Sequence, residues 1–292
     1  MSEPSVARVT VPGLRARKEA GERIVVLTAY DHPTAEILDR EGVDVLLVGD
    51  SLGMVVLGYE DTLAVTMEEM LHHVKPVARA ARRALVVADM PYLSFHVSAA
   101  ETVRNAGRFL KEGGARAVKI EGASPGRLDM IRALVEAEIP VMGHVGLTPQ
   151  SVNRFGAFRI RGGEAEEAAA IVRGAESVEA AGAFAVVLEC IPREVAAEVT
   201  DRLRIPTIGI GAGPHCDGQV LVFHDLTGFS VGYLPKFVRR YADLDAAVGK
   251  AVRRYAADVR TGAFPADEQS YHLKPGIRSR MKSLLSLRKR KA

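Results

Sequence analysis

Eight short apolar runs, each six or seven residues long, recur along the chain with helix-like stretches between them. They cover 24–29, 43–49, 84–89, 115–121, 139–144, 183–189, 205–210 and 228–234. Val and Ile are abundant in them, and the apolar residues fall on both faces rather than alternating. A strand with that pattern is buried on both sides, as in a parallel sheet covered by helices. The stretches 35–41, 67–83, 99–112, 126–137, 164–181 and 194–203 read as helices. Thr66 with Glu69 forms a capping box ahead of one of them. Gly42, Gly113 and Gly182 fit the left-handed position just beyond a helix end. Strands alternating with helices predict a parallel α/β fold. Eight strands favour a closed (β/α)8 barrel, which takes about 250 residues as one domain. The chain has 292. The expected division is an N-terminal extension over 1–19, one barrel over 20–265, and a C-terminal segment over 266–292.

That last segment is unusual in charge. Residues 274–292 hold eight Lys or Arg and no acid, leaving 31 basic against 36 acidic residues in the rest. The expectation is a solvated basic tail; a polyanion contact is the sharper alternative. The two cysteines, Cys190 and Cys216, cannot make a disulfide framework or a four-thiolate zinc site, and they suit a reducing compartment. The N-terminus has charged residues and no apolar leader core, and the longest charge-free run is 15 residues with two prolines. A cytoplasmic protein that spans no membrane is expected. With no Trp there is little stacking platform for nucleic acid.

The informative polar residues stand where strands end. Val48 leads into Gly49-Asp50-Ser51, Ala88 into Asp89, and Leu188 into Glu189. The fourth strand reads Val118-Lys119-Ile120-Glu121, and the fifth ends at His144. In a parallel barrel these ends meet at one mouth, where active sites form. Side chains alternate along a strand, so Lys119 and Glu121 share a face and Ile120 takes the other. If Ile120 packs under the helices, the two charges face the barrel axis. A plain Lys119–Glu121 ion pair is the alternative, as is a turn or cap role for Asp50.

Asp50, Asp89 and Glu121 are hard oxygen ligands without a thiolate or His cluster, which suits Mg²⁺. Glu189, closing a wholly apolar strand, fits a general base or acid, or a salt-bridged rim residue. His144 could orient substrate, share proton traffic, or be a satisfied core histidine. Cys190 reads as packing, and His72-His73 as solvated. The loops over 52–67 and 145–163 are long enough to shape the mouth. Gly209-Ile210-Gly211-Ala212-Gly213 is not the dinucleotide fingerprint, and it reads as a tight turn or a backbone approach to a ligand. Together, two metal-binding carboxylates, a Lys and a free Glu suit enolisation of an α-keto acid and carbon–carbon bond chemistry.

Several of these segments resemble one family. Thr28-Ala29-Tyr30-Asp31, Leu47-Val48-Gly49-Asp50-Ser51-Leu52-Gly53, Ala88-Asp89-Met90-Pro91 and Val118-Lys119-Ile120-Glu121-Gly122 are similar to motifs of ketopantoate hydroxymethyltransferases. So are Gly143-His144-Val145-Gly146-Leu147-Thr148-Pro149-Gln150-Ser151, Leu188-Glu189-Cys190, Ile208-Gly209-Ile210-Gly211-Ala212-Gly213 and Asp217-Gly218-Gln219-Val220-Leu221-Val222. The resemblance implies a barrel of the phosphoenolpyruvate mutase/isocitrate lyase type. It implies hydroxymethyl transfer from 5,10-methylenetetrahydrofolate to 3-methyl-2-oxobutanoate, giving 2-dehydropantoate on the route to pantothenate and coenzyme A. By position, Asp50 and Asp89 would hold Mg²⁺ and Glu121 would support that site. Asp50, Ser51, Asp89 and Lys119 would contact the keto acid. Glu189 would accept the proton, and His144 would be accessory. The family's common homo-decamer of two pentameric rings is a further implication. The basic tail lies beyond the family's usual end near Gln269-Ser270-Tyr271-His272, and Pro214-His215-Cys216 departs from its small polar residues. A related Mg²⁺-dependent lyase is the rival, though the Lys-Lys-Cys-Gly stretch such lyases use does not occur. A non-catalytic oligomer with a nucleic-acid- or membrane-binding tail is the reading from another class.

Overall fold

The computed structural model describes residues 7–156, 159–230 and 234–289. Eight parallel strands close into a barrel in sequence order. They are β1 (Ile24–Thr28), β2 (Val45–Val48), β3 (Leu85–Asp89), β4 (Ala117–Glu121), β5 (Val141–Gly146), β6 (Ala185–Glu189), β7 (Thr207–Ile210) and β8 (Gly218–Leu221). The last pairs with the first, Ile24 beside Gly218 and Val26 beside Val220.

Seven strands lie where the apolar runs predict them; the eighth does not. The run at 228–234 begins on Gly228, the left-handed cap that ends a short helix, and residues 231–233 lie outside the described residues. The closing strand is instead the less apolar Gly218-Gln219-Val220-Leu221. Gly218 is required there, because a Cβ would stand 2.5 Å from the Ile24 carbonyl oxygen of the neighbouring strand.

The helices that precede, wrap or follow the barrel are α1 (Val11–Ala20), α2 (His32–Arg40), α3 (Leu52–Val55), α4 (Met67–Ala80), α5 (Ala99–Arg108), α6 (Pro125–Glu136), α7 (Val152–Phe155), α8 (Ala165–Ala180), α9 (Arg193–Arg202), α10 (Phe223–Thr227), α11 (Leu244–Thr261) and α12 (Ile277–Lys289). Thr66 and Glu69 form the expected reciprocal cap on α4. After α5 the chain continues through a π-turn at Phe109–Gly113, which carries the left-handed position one residue further, to Gly114. Gly113 is bare for another reason: a Cβ there would meet Val74 Cγ1 at 2.7 Å.

Two apolar layers follow from strand alternation. Leu46, Val48, Val86, Ala88, Val118, Ile120, Val186 and Leu188 face outward into the helices. Ile24, Val26, Val45, Leu47, Leu85, Val87, Ala117, Met142, Ala185, Val187, Ile208 and Val220 fill the barrel axis, joined by Leu14 from α1. The segment before residue 20 therefore packs with the barrel. The chain divides into two compact units, Met1–Ala242 and Asp243–Ala292, where the sequence suggested boundaries at 19/20 and 265/266. The second unit holds α11 and α12. No helix among the described residues is long and apolar enough to cross a membrane.

Candidate active site

The inward alternation continues past the apolar layers and delivers the polar residues to the mouth. Leu85 and Val87 are followed on the same face by Asp89, Ala117 by Lys119 and Glu121, Met142 by His144, and Ala185 and Val187 by Glu189. Ile120 belongs to the outer layer. The register places Asp89 opposite Lys119, Glu121 opposite His144, and Gly146 opposite Glu189. Asp50 and Ser51 follow β2 directly.

These side chains form one connected group. Lys119 Nζ donates to both Asp89 carboxylate oxygens at 2.7 Å and stands 3.7 Å from Glu121 Oε1. His144 bridges two carboxylates: Nδ1 lies 3.3 Å from Glu121 Oε1 and Nε2 lies 3.3 Å from Glu189 Oε2. Both contacts have ion-pair distance but lack hydrogen-bond alignment. Gln150 donates from its backbone N–H to Glu121 Oε2 (3.1 Å) and from Nε2 to Asp50 Oδ2 and to the Met90 carbonyl (both 2.9 Å). Tyr30 and Ser51 share a hydroxyl hydrogen bond of 2.8 Å. Asp50, Asp89, Lys119, Glu121, His144 and Gln150 are all buried, while the Glu189 side chain keeps 17% exposure.

Burial and proximity reshape the charges. Desolvation, reinforced by Asp89 and Glu121, pushes the Asp50 carboxyl well above its ordinary range. Desolvation also raises Asp89, against the pull of Lys119. Glu121 resists desolvation because His144 and Lys119 face it, and it lies below its ordinary value. For Lys119, burial disfavours the charge, but Asp89, Glu121 and Asp50 outweigh it and drive the pKa up. His144 behaves likewise: burial and Lys119 push it down, the two glutamates push it up, and it comes to about 9.

Asp50 is the unbalanced member. Its described hydrogen-bond donor is the neutral Gln150 amide, and among the described residues no cation stands within ion-pair distance of it. A buried carboxylate in that state lacks a positive partner. Gln150 Oε1 is also buried without a donor among the described residues. A carboxylate has about four acceptor positions, so Lys119 leaves some of Asp89's open. Two oxygen-bearing carboxylates fit Mg²⁺, which takes one or two and keeps the rest as water or substrate oxygen. No group of three or more His, Cys, Asp or Glu among the described residues could hold an ion. Glu121 turns instead to Lys119, His144 and Gln150.

Other expectations fall differently. Asp50 does not cap α3, whose first turn is preceded by Ser51. Cys190 has left-handed backbone (φ 48°), and burial with the neighbouring Glu189 charge pushes its thiol up to about 12. His73 is not simply solvated, since its Nδ1 lies 2.6 Å from the Tyr30 carbonyl oxygen. Gly211 and Gly213 meet protein rather than open space: a Cβ would clash with Phe237 and Arg193. Sequence reasoning assigned no role to Gln150 or Tyr30, although both stand in the quoted motifs. The signal for Gln150 was a polar amide in the long loop directly beyond His144.

Closed barrel, inward polar crown and carboxylate pair define a (β/α)8-barrel enzyme with its site at the C-terminal mouth. Solved structures share the fold at low identity. A phosphonopyruvate hydrolase complexed with oxalate and Mg²⁺ superposes with TM-score 0.59 at 16% identity, over 95% of this chain and 96% of that one. A phosphoenolpyruvate phosphomutase from Streptomyces platensis subsp. rosaceus gives 0.60 at 17%, over 96% and 98%. A 2,3-dimethylmalate lyase gives 0.57 at 18%, over 97% and 99%. The chain belongs to the ketopantoate hydroxymethyltransferase family, whose model matches residues 8–267. It is 51% identical over 276 residues to a 3-methyl-2-oxobutanoate hydroxymethyltransferase of Syntrophomonas wolfei, covering 94% of this chain and all of that one. Its counterpart in Carboxydothermus hydrogenoformans is 52% identical over 274 residues, covering 94% and 99%.

Proposed function

We propose that this enzyme converts 3-methyl-2-oxobutanoate, 5,10-methylenetetrahydrofolate and water into 2-dehydropantoate and tetrahydrofolate, a step towards pantothenate and coenzyme A. The observation that carries the reading is the connected, largely buried group at the barrel mouth, in which Asp50 joins Asp89, Lys119, Glu121, His144 and the partly exposed Glu189 through Gln150, in a chain of this family.

Asp50 and Asp89 are the residues to hold Mg²⁺, with Glu121 supporting the site through Lys119 and Gln150. Bound there, Mg²⁺ supplies Lewis-acid polarisation of the keto oxygen. Lys119 offers a fixed positive charge to the substrate carboxylate or to the developing enolate oxygen. Ser51, tethered by Tyr30, presents a hydroxyl to the keto acid. Glu189 is the partly exposed carboxylate of the group, and it takes the proton from C3. The electron pair left on C3 then forms the bond to the donor's one-carbon unit. The two bonds from that carbon to folate nitrogens break, water supplies the hydroxyl in their place, and the nitrogens take up the C3 proton and one proton of the water. His144, spanning Glu121 and Glu189, fixes the orientation of the base. Supporting a reducing, cytoplasmic setting, both cysteines are free thiols. The working form is read as a homo-oligomer by family likeness.

The test is NMR of the C3 proton of 3-methyl-2-oxobutanoate in D₂O, with enzyme and Mg²⁺, with and without EDTA. Metal-dependent exchange supports enolisation at this site. Folded enzyme that never exchanges the proton would turn the assignment towards another keto acid of the superfamily.

A further inference from the structure

The loop between β3 and α5 and the first turn of α6 build a second feature on the same rim, which the chemistry above leaves unused. The loop begins directly after Asp89, and α6 follows Glu121 across three residues. Arg127 holds its guanidinium carbon 5.0 Å over the Phe95 ring. His96 packs on Phe95, with ring centroids 4.3 Å apart, and edge-on to Tyr92 at 5.0 Å. The Nδ1 of His96 is buried without a hydrogen-bond partner among the described residues.

Arg127 is a half-buried cation. Burial lowers its pKa, the phenol of Tyr92 opposes that, and no carboxylate among the described residues pairs with it. A partly desolvated guanidinium is well suited to a carboxylate, which it meets with two parallel hydrogen bonds. His96 is held down to about 4 by burial and by Arg127, so its ring is neutral at neutral pH. Next to this cation the loop exposes apolar surface at Tyr92, Leu93 and Val97, and Leu93 sits in the left-handed region at φ 66°. A branched residue held there signals a conformation kept by its surroundings, commonly at a ligand clamp.

We propose that Arg127, with Tyr92 and His96, binds the p-aminobenzoylglutamate arm of the folate donor. Arg127 takes a glutamate carboxylate, and the Tyr92–His96 edge receives the aminobenzoyl ring. The proposal rests on the reaction given above, which needs a donor beside the keto acid. The strand order supports it. The feature flanks β3 and β4, whose ends carry Asp89, Lys119 and Glu121, so it lies on the rim beside the keto-acid site.

The experiment is a calorimetric titration of the full-length enzyme with tetrahydrofolate and with tetrahydropteroate, which lacks the glutamate. The wild type is expected to bind tetrahydrofolate roughly 10- to 30-fold more tightly, the worth of one charge-assisted contact at a wet rim. Arg127→Ala should erase that preference while binding tetrahydropteroate within about twofold of the wild type. Arg127→Gln, which keeps the stem over Phe95, should do the same, and it covers the case in which the alanine variant fails to fold. A preference that survives both substitutions, or an equal loss for both ligands in Arg127→Gln, overturns the proposal. Wild-type C3 proton exchange is measured alongside: its absence sinks the reaction, whereas the glutamate preference is read without keto acid.

Discussion

Removing the titrating ring of His144 should change how the stability of the metal-free protein depends on pH. The imidazole is 1% exposed and faces Glu121 and Glu189 at 3.3 Å. Its pKa rises from 6.5 to about 9. At about 1.4 kcal/mol per pKa unit, the gap is worth about 3 kcal/mol. Below pH 6.5 the ring is protonated in both folded and unfolded chains, and the whole contribution is present. Between 6.5 and 9 only the folded chain keeps the proton, so stability falls as pH rises, and above 9 the contribution is gone. Urea unfolding in EDTA, at one protein concentration, should be compared for wild type and His144→Gln from about pH 6 to 10, because linkage reads only the difference between the two. The wild-type advantage should shrink by about 3 kcal/mol across that range. In parallel, the labelled imidazole followed by NMR should titrate near 9. An advantage that stays level, with a ring titrating near its ordinary value, would refute the claim that two carboxylates outweigh burial at this position.

Three further outcomes are expected. Glu189→Gln should lower turnover by roughly 10²- to 10⁴-fold and abolish C3 proton exchange, as for loss of a general base, while calorimetry still detects metal-dependent keto-acid binding. Asp50→Ala and Asp89→Ala should each eliminate the Mg²⁺-dependent component of that binding; an unchanged isotherm would put the metal elsewhere. Gly143→Ala places a Cβ 2.3 Å from Val178 Cγ1. It should cost about 1–3 kcal/mol in chemical denaturation, and the cost should be smaller in a Val178→Ala background, with strict additivity counting against a steric cause.

Much of this molecule is legible along its chain, for identifiable reasons. Strands buried on both faces must be apolar throughout, so seven of them stand out, and a charge at the end of such a run has few roles other than a site. Alternation alone then turned Lys119 inward and Ile120 outward. What stayed hidden depended on contacts across the fold. Gly218-Gln219-Val220-Leu221 is short, starts with a glycine and exposes its glutamine, so the more apolar run at 228–234 outweighed it. Gln150 meets Asp50 across 100 residues of sequence, and a neutral amide in a loop carries no mark of that partner. The placing of Glu121 beside Asp50 and Asp89 as a third oxygen ligand followed from its position on a strand. Spacing cannot reveal that Lys119, His144 and a backbone N–H engage both of its oxygens.

The closure of β8 on β1 has a consequence for how the chain is made. Ile24 leaves the ribosome long before Gly218, the residue it pairs with. At about 5–20 residues per second, the first strand waits roughly 10–40 s for its second neighbour. During that time it is a β-edge rich in Val and Ile, the kind of surface that recruits other nascent chains. Leu14 of α1 packs with the barrel interior and is made before any strand, so it is available to cover the base of a half-built sheet. Shortening the chain ahead of residue 20 would then lower the yield of folded protein at high expression more than it lowers the stability of the molecules that do fold.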